Sequence, residues 1–454
     1  MHKFDDEASR ILLNVVSHTI ERLSMDPIAL DYPKSVDFFK ENAPSLINLE
    51  GNSIEDVFDQ YKNTIEESII SVDSPRMLAF IPSAPTKASM IFDLVVSAGS
   101  LCGVSWQEAS GAVWLENQVI RWIADLVGLP RDAGGCFVAG GTNGNLSSLV
   151  VAREQYRKKQ TDSTKRLAIL CSDQAHSSVK STAKVMDCEV IAVPSNEHYR
   201  LTAESIVKEL DAHPGKYQAY DIFAVVATAG TTNLGVIDDI ESIANYANKN
   251  NIWLHVDAAY GGAGLLSDKV RELYRGIERA DSFIVDPHKW LFAPLDCAAV
   301  IYRNKHLASE VHAQKAGYLD ILHEDEEGDN PSDYAFHLSR RARGLPLWFS
   351  LSVYGIDAYR QAVQQSLDMA YYAATQINKT SYLSLLIDPT LSVVVFERIG
   401  WDWQDYKNWS TDQLRKQVCF VVPSMVGDKP VLRFAFTNPR TSNDIVDEIL
   451  LSLK

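Results

Sequence analysis

Residues 282–302 read SFIVDPHKWLFAPLDCAAVIY, a segment in which two short apolar runs flank a lysine. The runs SFIVD (282–286) and CAAVIY (297–302) predict two buried strands, because they are almost continuously apolar. Lys289 lies between them, next to a histidine and a tryptophan. Lysine is among the side chains least often buried. Its place in this apolar segment suggests that its amine acts inside the protein.

The same pattern extends over the middle of the chain. From about residue 86 to 305, helical stretches alternate with short apolar runs. Such runs predict strands of a parallel or mostly parallel sheet that helices cover on both faces. The other strand candidates are GCFVAG (135–140), LAILCS (167–172), CEVIAVP (188–194), IFAVVATA (222–229) and IWLHVDAA (252–259).

The two ends of the chain differ from this middle part. The first 85 residues look helical, and helices return after residue 345. Two later runs, LSVVVFER (391–398) and PVLRFAFT (430–437), predict a small second sheet. We therefore predict an α/β protein made of an N-terminal helical segment (1–85), a large domain (86–345) and a small C-terminal α+β domain (346–454).

Composition excludes several classes of function. The 454 residues carry a net charge of −16, which disfavours binding to nucleic acid or to an anionic membrane. The sequence contains no uncharged apolar stretch of about 18 residues, so we expect no membrane span. Acidic residues 5–7 stand where a signal peptide needs its apolar core. The six cysteines are scattered without a CxxC pair, as is typical of a reducing compartment. We expect a cytoplasmic globular protein.

Ligands of such sheets bind where strands lead into helices. The segment FVAGGTNGNLSSLVVAR (137–153) predicts a strand, a glycine turn and a helix. Gly140 and Gly141 allow the backbone to approach an anion, Thr142 can add a hydroxyl, and the first N–H groups of the helix point to the same place. A phosphate fits this turn. Since neither a P-loop nor a Rossmann motif is present, the turn by itself could equally be an ordinary helix start.

Three further strand ends carry polar residues. His176 follows the strand of CSDQAH and could be a ligand-facing ring or only a helix cap. Thr231 and Thr232 follow the strand of IFAVVATA (222–229), where their hydroxyls could face a ligand. Asp257 ends the strand of HVDAAYGGAG among small residues, although an aspartate there is often a cap or turn former.

Lys289 connects these strand ends. It follows Asp257 by 32 residues, about one helix and one strand, so neighbouring strand ends could bring both into one crevice. A buried lysine with a depressed pKa is a nucleophile toward aldehydes, and pyridoxal phosphate is the cofactor that needs one. This cofactor also needs a phosphate cradle, an acid at its ring nitrogen and a flat group against its ring. The glycine turn, Asp257 and His176 meet these needs.

A metal site is the alternative for the same residues. His255, Asp257 and His288 could act as ligands. Such a site would leave the predicted phosphate turn without a role. We therefore predict no metal.

On these motifs the chain resembles the pyridoxal-phosphate-dependent group II decarboxylases, the family of aromatic-L-amino-acid and glutamate decarboxylases. The resemblance begins at residue 74 and continues to about residue 360. It is carried by SPRMLAFIPSAPT, SDQAHSSVKS, GTTNLGVIDDI, HVDAAYGG, DPHKWL, YRNK and DYAFHLSRRARGLPLW.

The resemblance implies an aspartate-aminotransferase-like fold (fold type I of pyridoxal-phosphate enzymes) and an amino-acid substrate. It also implies a homodimer with active sites at the subunit interface. By its motifs, Lys289 would bind the cofactor covalently, Asp257 would pair with the ring nitrogen and His176 would stack on the ring. The other implied cofactor contacts are Gly141 and Thr142 at the phosphate with His288 nearby, Thr232, and Ala259 beneath the ring.

Tyr318, in AGYLD, matches the family's mobile-loop tyrosine, which returns a proton to the substrate carbon after carbon dioxide leaves. It stands at the start of an acidic stretch (320–333) without apolar periodicity, which predicts a solvated loop. In the related aldehyde synthases, which decarboxylate and deaminate with oxygen, a phenylalanine typically takes this place. Tyr318 therefore favours amine formation. A catalytically silent relative would lack Lys289 or Asp257, and both are present.

Two departures from the family concern the cofactor and the substrate. Asp286 replaces an asparagine of the animal aromatic-amino-acid decarboxylases, and we expect its carboxylate to point away from the phosphate or to bond to backbone. In the implied substrate pocket Phe80 keeps an aromatic ring, whereas Ile81 and Val104 replace two others. The expected substrate is an aromatic L-amino acid, with an aliphatic or diamino acid as the alternative.

Overall fold

The computed structural model describes residues 2–160, 164–314 and 329–454. Its centre is a seven-stranded sheet in the order β1-β7-β6-β5-β4-β2-β3. The strands are β1 (Gly134–Val138), β2 (Arg166–Ser172), β3 (Glu189–Val193), β4 (Tyr220–Thr228), β5 (Trp253–Asp257), β6 (Ser282–Val285) and β7 (Ala298–Tyr302).

This sheet is mostly parallel, which confirms the predicted α/β class. Strands β3, β2, β4, β5 and β6 run in one direction. β7 runs in the opposite direction and is antiparallel to both of its neighbours, β1 and β6. The register pairs Thr228 with Asp257, and Asp257 with Ile284, so β4, β5 and β6 end at the same edge. Polar residues that follow these strands therefore meet at that edge.

Helices cover both faces of the sheet, which explains why its strands read as continuous apolar runs. Along β2, Ala168 and Leu170 belong to the core on one face, while Ile169 and Cys171 belong to the core on the other. Since successive side chains of a strand point to opposite faces, both sets of side chains in a doubly covered strand are buried, and most of them are apolar.

Fifteen α-helices are present in the described ranges. They are α1 (Asp6–Leu23), α2 (Val36–Asn42), α3 (Ile54–Gln60), α4 (Lys87–Ala98), α5 (Trp106–Val127), α6 (Gly141–Lys159), α7 (Ser177–Val185), α8 (Ala203–Ala212), α9 (Pro214–Tyr217), α10 (Ile240–Asn250), α11 (Pro287–Trp290), α12 (Lys305–His312), α13 (Leu345–Lys379), α14 (Trp403–Arg415) and α15 (Asn443–Leu451). None of them is long and apolar enough to cross a membrane.

A second sheet near the C-terminus confirms the other strand prediction. Its order is β10-β11-β9-β8, and all neighbours are antiparallel. The side chains of Phe396 and Phe434 pack edge to face between this sheet and α13. The strands are β8 (Leu383–Leu385), β9 (Val393–Arg398), β10 (Ser424–Val426) and β11 (Lys429–Ala435).

Candidate active site

A cavity of about 280 Å³ opens at the edge where β4, β5 and β6 end. Its position agrees with the general rule that ligands of open α/β sheets bind beyond the carboxyl ends of the strands. Ten of the residues singled out in the sequence line it: Gly140, Gly141, Thr142, His176, Thr232, Asp257, Ala259, Asp286, His288 and Lys289.

Lys289 lies in the short helix α11, directly after β6, and its Nζ is 2.9 Å from Asp286 Oδ2. Burial disfavours the ammonium, but the charge and hydrogen bond of Asp286 more than compensate, so the pKa of Lys289 is raised. The expectation of a depressed pKa is therefore wrong for the amine beside this carboxylate. Burial alone would lower this pKa, but the neighbouring charge of Asp286 reverses the direction of the shift.

Asp286 itself corrects a second expectation. Its carboxylate points into the cavity toward Lys289 and does not turn away. The other oxygen, Oδ1, is buried and has no hydrogen-bond partner among the residues that the structure describes. A Cβ atom built on Gly141 would lie 3.0 Å from Asp286 Oδ2. The carboxylate thus stands beside the predicted phosphate turn.

The glycine turn has the form of an anion site. Gly140 is extended and caps α6 without a side-chain hydrogen bond, so the helix begins with unsatisfied N–H groups. A side chain at Gly141 would also meet Ala259 Cβ at 3.3 Å. A Cβ atom at Gly140, in contrast, would meet no atom within 4 Å, so a phosphate can approach the helix N-terminus there.

Asp257 is the last residue of β5 and is 5% exposed. One carboxylate oxygen accepts a hydrogen bond from the backbone of Ala259 (3.1 Å), and the other accepts one from Asn145 Nδ2 (2.9 Å). Both oxygens are therefore held while the group still lines the cavity. A fixed, buried carboxylate of this kind can pair with a protonated ring nitrogen.

His176 satisfies both interpretations that the sequence left open. It caps α7, where Nδ1 accepts hydrogen bonds from Ser178 N (3.2 Å) and Ser178 Oγ (2.8 Å). Its ring also lines the cavity and is exposed there. The cap thus fixes the position of the ring at the cavity wall.

Thr231 and Thr232 lie in different surroundings. Thr231 is fully buried and its Oγ1 accepts a hydrogen bond from Val236 N, whereas Thr232 lines the cavity. On the other side, His288 Nδ1 accepts a hydrogen bond from Cys297 N at 3.0 Å. Burial lowers the pKa of His288, which favours a neutral ring.

Three of the predicted residues that the structure describes are not brought to this cavity. Phe80, Ile81 and Val104 do not line it; Phe80 is 59% exposed and Val104 is buried elsewhere. Tyr318 lies outside the described residues, as does most of the acidic stretch.

The alternative metal set is not assembled. Both ring nitrogens of His255 are engaged, with Ser282 Oγ at 2.7 Å and Asn145 Oδ1 at 2.8 Å. In ranges 2–160, 164–314 and 329–454, no group of three or more histidine, cysteine, aspartate or glutamate side chains could hold a metal ion.

The cavity contains residues that sequence reasoning missed. Asn145 lies one turn into α6 and contacts Asp257, but its position within GGTNGN resembles any polar helix residue. Thr228, at the end of β4, has a buried Oγ1 without a partner in the described part of the chain. Its place at a strand end was the signal that could have revealed it.

These features together fit pyridoxal phosphate. A phosphate can approach the N-terminus of α6 through the open space at Gly140, and the amine of Lys289 faces the same cavity as the held carboxylate of Asp257. Asp286 Oδ1 and Thr228 Oγ1 have no hydrogen-bond partner among the described residues, as is expected of buried polar atoms that bind a ligand. This donor set suits an organic phosphate with an aldehyde and a ring nitrogen.

Comparison with known proteins agrees with this geometry. The chain is 29% identical over 431 residues to an aromatic-L-amino-acid decarboxylase of Bacillus atrophaeus, covering 92% of this chain and 88% of the relative. It is also 29% identical over 395 residues to the L-2,4-diaminobutyrate decarboxylase of Rhizobium meliloti, covering 85% and 78%. The crystal structure of Oryza sativa TDC with PLP and tryptamine superimposes with a TM-score of 0.91 at 22% identity, covering 100% and 99%.

The family model for the pyridoxal-dependent decarboxylase conserved domain matches residues 38–399. This match spans most of the chain and includes every cavity-lining residue discussed above. The cofactor is therefore pyridoxal phosphate, and the chain belongs to the pyridoxal-dependent decarboxylase family.

Proposed function

We propose that this protein decarboxylates an aromatic L-amino acid to the corresponding amine and carbon dioxide. The observation that carries the proposal is one cavity that combines Lys289, Asp257, His176 and the Gly141 turn. When bound, pyridoxal phosphate supplies a ring that accepts the electrons released with carbon dioxide.

Lys289 would hold the cofactor covalently through Nζ, which must lose its proton to form that bond. Asp286, 2.9 Å away, favours the charged form of Nζ. Asp257 would keep the ring nitrogen protonated, because its negative charge stabilises a positive charge beside it. His176 would stack on the ring and fix its orientation.

Gly141 and Thr142, at the N-terminus of α6, would bind the phosphate, with His288 nearby. Thr232 would contact the cofactor, and Ala259 would pack beneath its ring. Tyr318 would return a proton to the substrate carbon after carbon dioxide leaves. Through these contacts the chain favours decarboxylation among the reactions that the cofactor permits.

The substrate class rests on two lines of support. The Bacillus atrophaeus relative is an aromatic-L-amino-acid decarboxylase, and Phe80 retains an aromatic ring in the implied pocket. Ile81 and Val104, however, replace two other aromatic residues of the implied pocket. The Rhizobium meliloti relative, which is also 29% identical, is a diaminobutyrate decarboxylase. A diamino or aliphatic acid is therefore the second candidate.

We also propose a cytoplasmic homodimer with shared active sites. Phe80 is exposed and does not line this chain's own cavity, so it is free to reach the cavity of a second copy. Ile91 and Leu94 of α4 are also more than half exposed, and such apolar side chains favour burial against a partner. All six cysteines are free, as a reducing compartment requires.

Incubation with a panel of aromatic, diamino and aliphatic amino acids tests the proposal. Carbon dioxide, amine, aldehyde and peroxide are measured separately for each substrate. We expect carbon dioxide and amine in equal amounts from an aromatic amino acid, and neither from Lys289→Ala. Turnover of a diamino acid alone would replace the aromatic assignment, and aldehyde with peroxide would replace simple decarboxylation.

A further inference from the structure

A continuous chain of buried hydrogen bonds leads through the protein interior to both Asp257 and His176. It begins where Trp253 Nε1 donates to Ser282 Oγ at 2.8 Å. His255 then joins Ser282 Oγ (2.7 Å) to Asn145 Oδ1 (2.8 Å). Asn145 is the branch point: its Nδ2 is 2.9 Å from Asp257 Oδ2 and 2.9 Å from Ser178 Oγ.

The branch toward His176 runs through Ser178. Ser178 Oγ accepts from Asn145 and lies 2.8 Å from His176 Nδ1, to which it can donate. The backbone N–H of Ser178 also donates to this nitrogen. The ring proton of a neutral His176 must therefore sit on Nε2.

The donor and the acceptor of each hydrogen bond between Asp257 and Trp253 follow from the chemistry of these two end groups. The carboxylate of Asp257 accepts, so the neighbouring atom of Asn145 must be the amide nitrogen. Asn145 Oδ1 then accepts from His255, which places the proton of His255 on Nε2. His255 Nδ1 accepts the hydroxyl proton of Ser282, whose oxygen accepts from the indole of Trp253. No donor meets another donor.

We propose that Asn145 is a positioning residue that fixes Asp257 and His176 relative to each other, and that His255, protonated at Nε2, orients the Asn145 amide. This inference rests on the proposed function, which gives Asp257 and His176 their roles toward the cofactor. It assigns to Asn145 and His255 an effect on the ring geometry beyond their part in folding.

The other neutral tautomer of His255, protonated at Nδ1, is unfavourable. If His255 carried its proton on Nδ1, its Nε2 would require a donor, and the Asn145 amide would rotate. The amide oxygen would then stand 2.9 Å from a carboxylate oxygen of Asp257. Asn145 is 1% exposed and His255 is fully buried, so no bulk water could relieve that contact.

The test uses Asn145→Ala with Asn438→Ala as the matched control. Asn438 is likewise buried, and its amide donates to Asp73 O at 2.9 Å away from the cavity. For each variant we would measure unfolding, pyridoxal phosphate affinity, the visible circular dichroism of the bound cofactor, and kcat. The dichroism reports how firmly the ring is held.

We expect Asn145→Ala to lose most of this dichroism and about 10- to 100-fold in kcat, because Asp257 and Ser178 each lose a donor. Its cofactor affinity should change less, since Gly141 and Lys289 are intact. Asn438→Ala should lower stability without changing the dichroism. Unaltered dichroism together with kcat within about twofold of wild type in Asn145→Ala would overturn the proposal.

A second measurement covers the case in which Asn145→Ala does not fold. In wild-type protein labelled with ¹⁵N-histidine, the His255 signals are identified by their loss in His255→Gln. We expect Nε2 to carry the proton and Nδ1 to be unprotonated; the opposite tautomer would overturn the proposal. His255→Gln can still donate to Asn145 and should keep more dichroism than His255→Phe.

These readouts separate the two hypotheses. Wild-type protein that binds pyridoxal phosphate but releases carbon dioxide from no amino acid would refute the proposed function. The tautomer of His255 and the dichroism of Asn145→Ala would still decide the positioning role.

Discussion

Lys289 Nζ and Asp286 Oδ2 form a 2.9 Å ion pair inside the candidate active site, between a residue of the short helix α11 and the residue that precedes this helix. The carboxylate counteracts the effect of burial and raises the pKa of the lysine that is expected to react. Its second oxygen has no partner among the described residues, and the phosphate turn lies beside it. The first two predictions concern these two side chains.

Replacing Lys289 with alanine should reduce turnover by several orders of magnitude, because the covalent attachment and its exchange with the substrate amine are both removed. Borohydride should fix the cofactor on Lys289 of the wild type, as peptide mapping can show. Lys305→Ala is the matched control, since Lys305 is similarly buried (23% against 26% side-chain exposure) but pairs with Asp329. Recovery of the reduced cofactor on another lysine would contradict the assignment.

Asp286→Asn should speed cofactor attachment to the cofactor-free protein by about tenfold at neutral pH, because the pKa of Lys289 falls when its anionic partner is removed. The rate should also level off at a lower pH than in the wild type. Stopped-flow absorbance across a pH series measures both effects. Asp296→Asn, which removes a carboxylate paired with Arg343, is the control. An unchanged pH profile in Asp286→Asn would show that the ion pair does not govern attachment.

Asp257→Asn should reduce decarboxylation by about 100-fold or more while cofactor affinity changes much less. The amide keeps nearly the same shape but has no charge to hold a proton on the ring nitrogen. Measuring kcat and the cofactor Kd for the same preparation separates the two effects. Asp173→Asn, which alters an exposed acid just after β2, should leave both values near those of the wild type. Near-normal kcat in Asp257→Asn would disprove the role at the ring nitrogen.

Tyr318→Phe should shift the products from amine toward aldehyde, ammonia and peroxide, with carbon dioxide still released. The substitution removes one oxygen atom, so it tests proton delivery more than folding. Product analysis under oxygen distinguishes this from a tyrosine that only anchors a loop, since such a variant would still make amine alone. Tyr334→Phe, which removes a buried hydroxyl bonded to Asp329, should form no aldehyde.

Acid should destabilise the protein through His255. Burial lowers the pKa of His255 to about 4, against 6.5 for the ordinary side chain. The unfolded chain therefore binds more protons between these values, and stability is lost as the pH falls from 6.5 toward 4. Between pH 7 and pH 5 this histidine should cost roughly 2 kcal/mol of unfolding free energy. Urea denaturation of the wild type and of His255→Gln at both pH values should show a smaller difference in the variant.

Much of the fold follows from local sequence patterns. The runs at 282–286 and 297–302 became β6 and β7 to within one residue at each end. The run at 252–259 was predicted too long, because β5 ends at Asp257, where Ala258 and Ala259 leave the sheet. Continuous apolar runs identify doubly covered strands because both faces of such a strand must be buried.

The sequence by itself also determined which strand ends meet at the candidate site. The spacing of Asp257 and Lys289 indicated neighbouring strands, and β5 and β6 are indeed parallel partners. Chain connectivity limits where a residue 32 positions later can lie, so this inference needed no side-chain coordinates.

Only the tertiary structure decided how the side chains pair. Asn145 and Asp257 are 112 residues apart, and the direction of the Asp286 carboxylate depends on its rotamer between Lys289 and Gly141. Neither relationship has a local pattern, because hydrogen bonds between distant elements are selected by packing, burial and the need to pair every polar group.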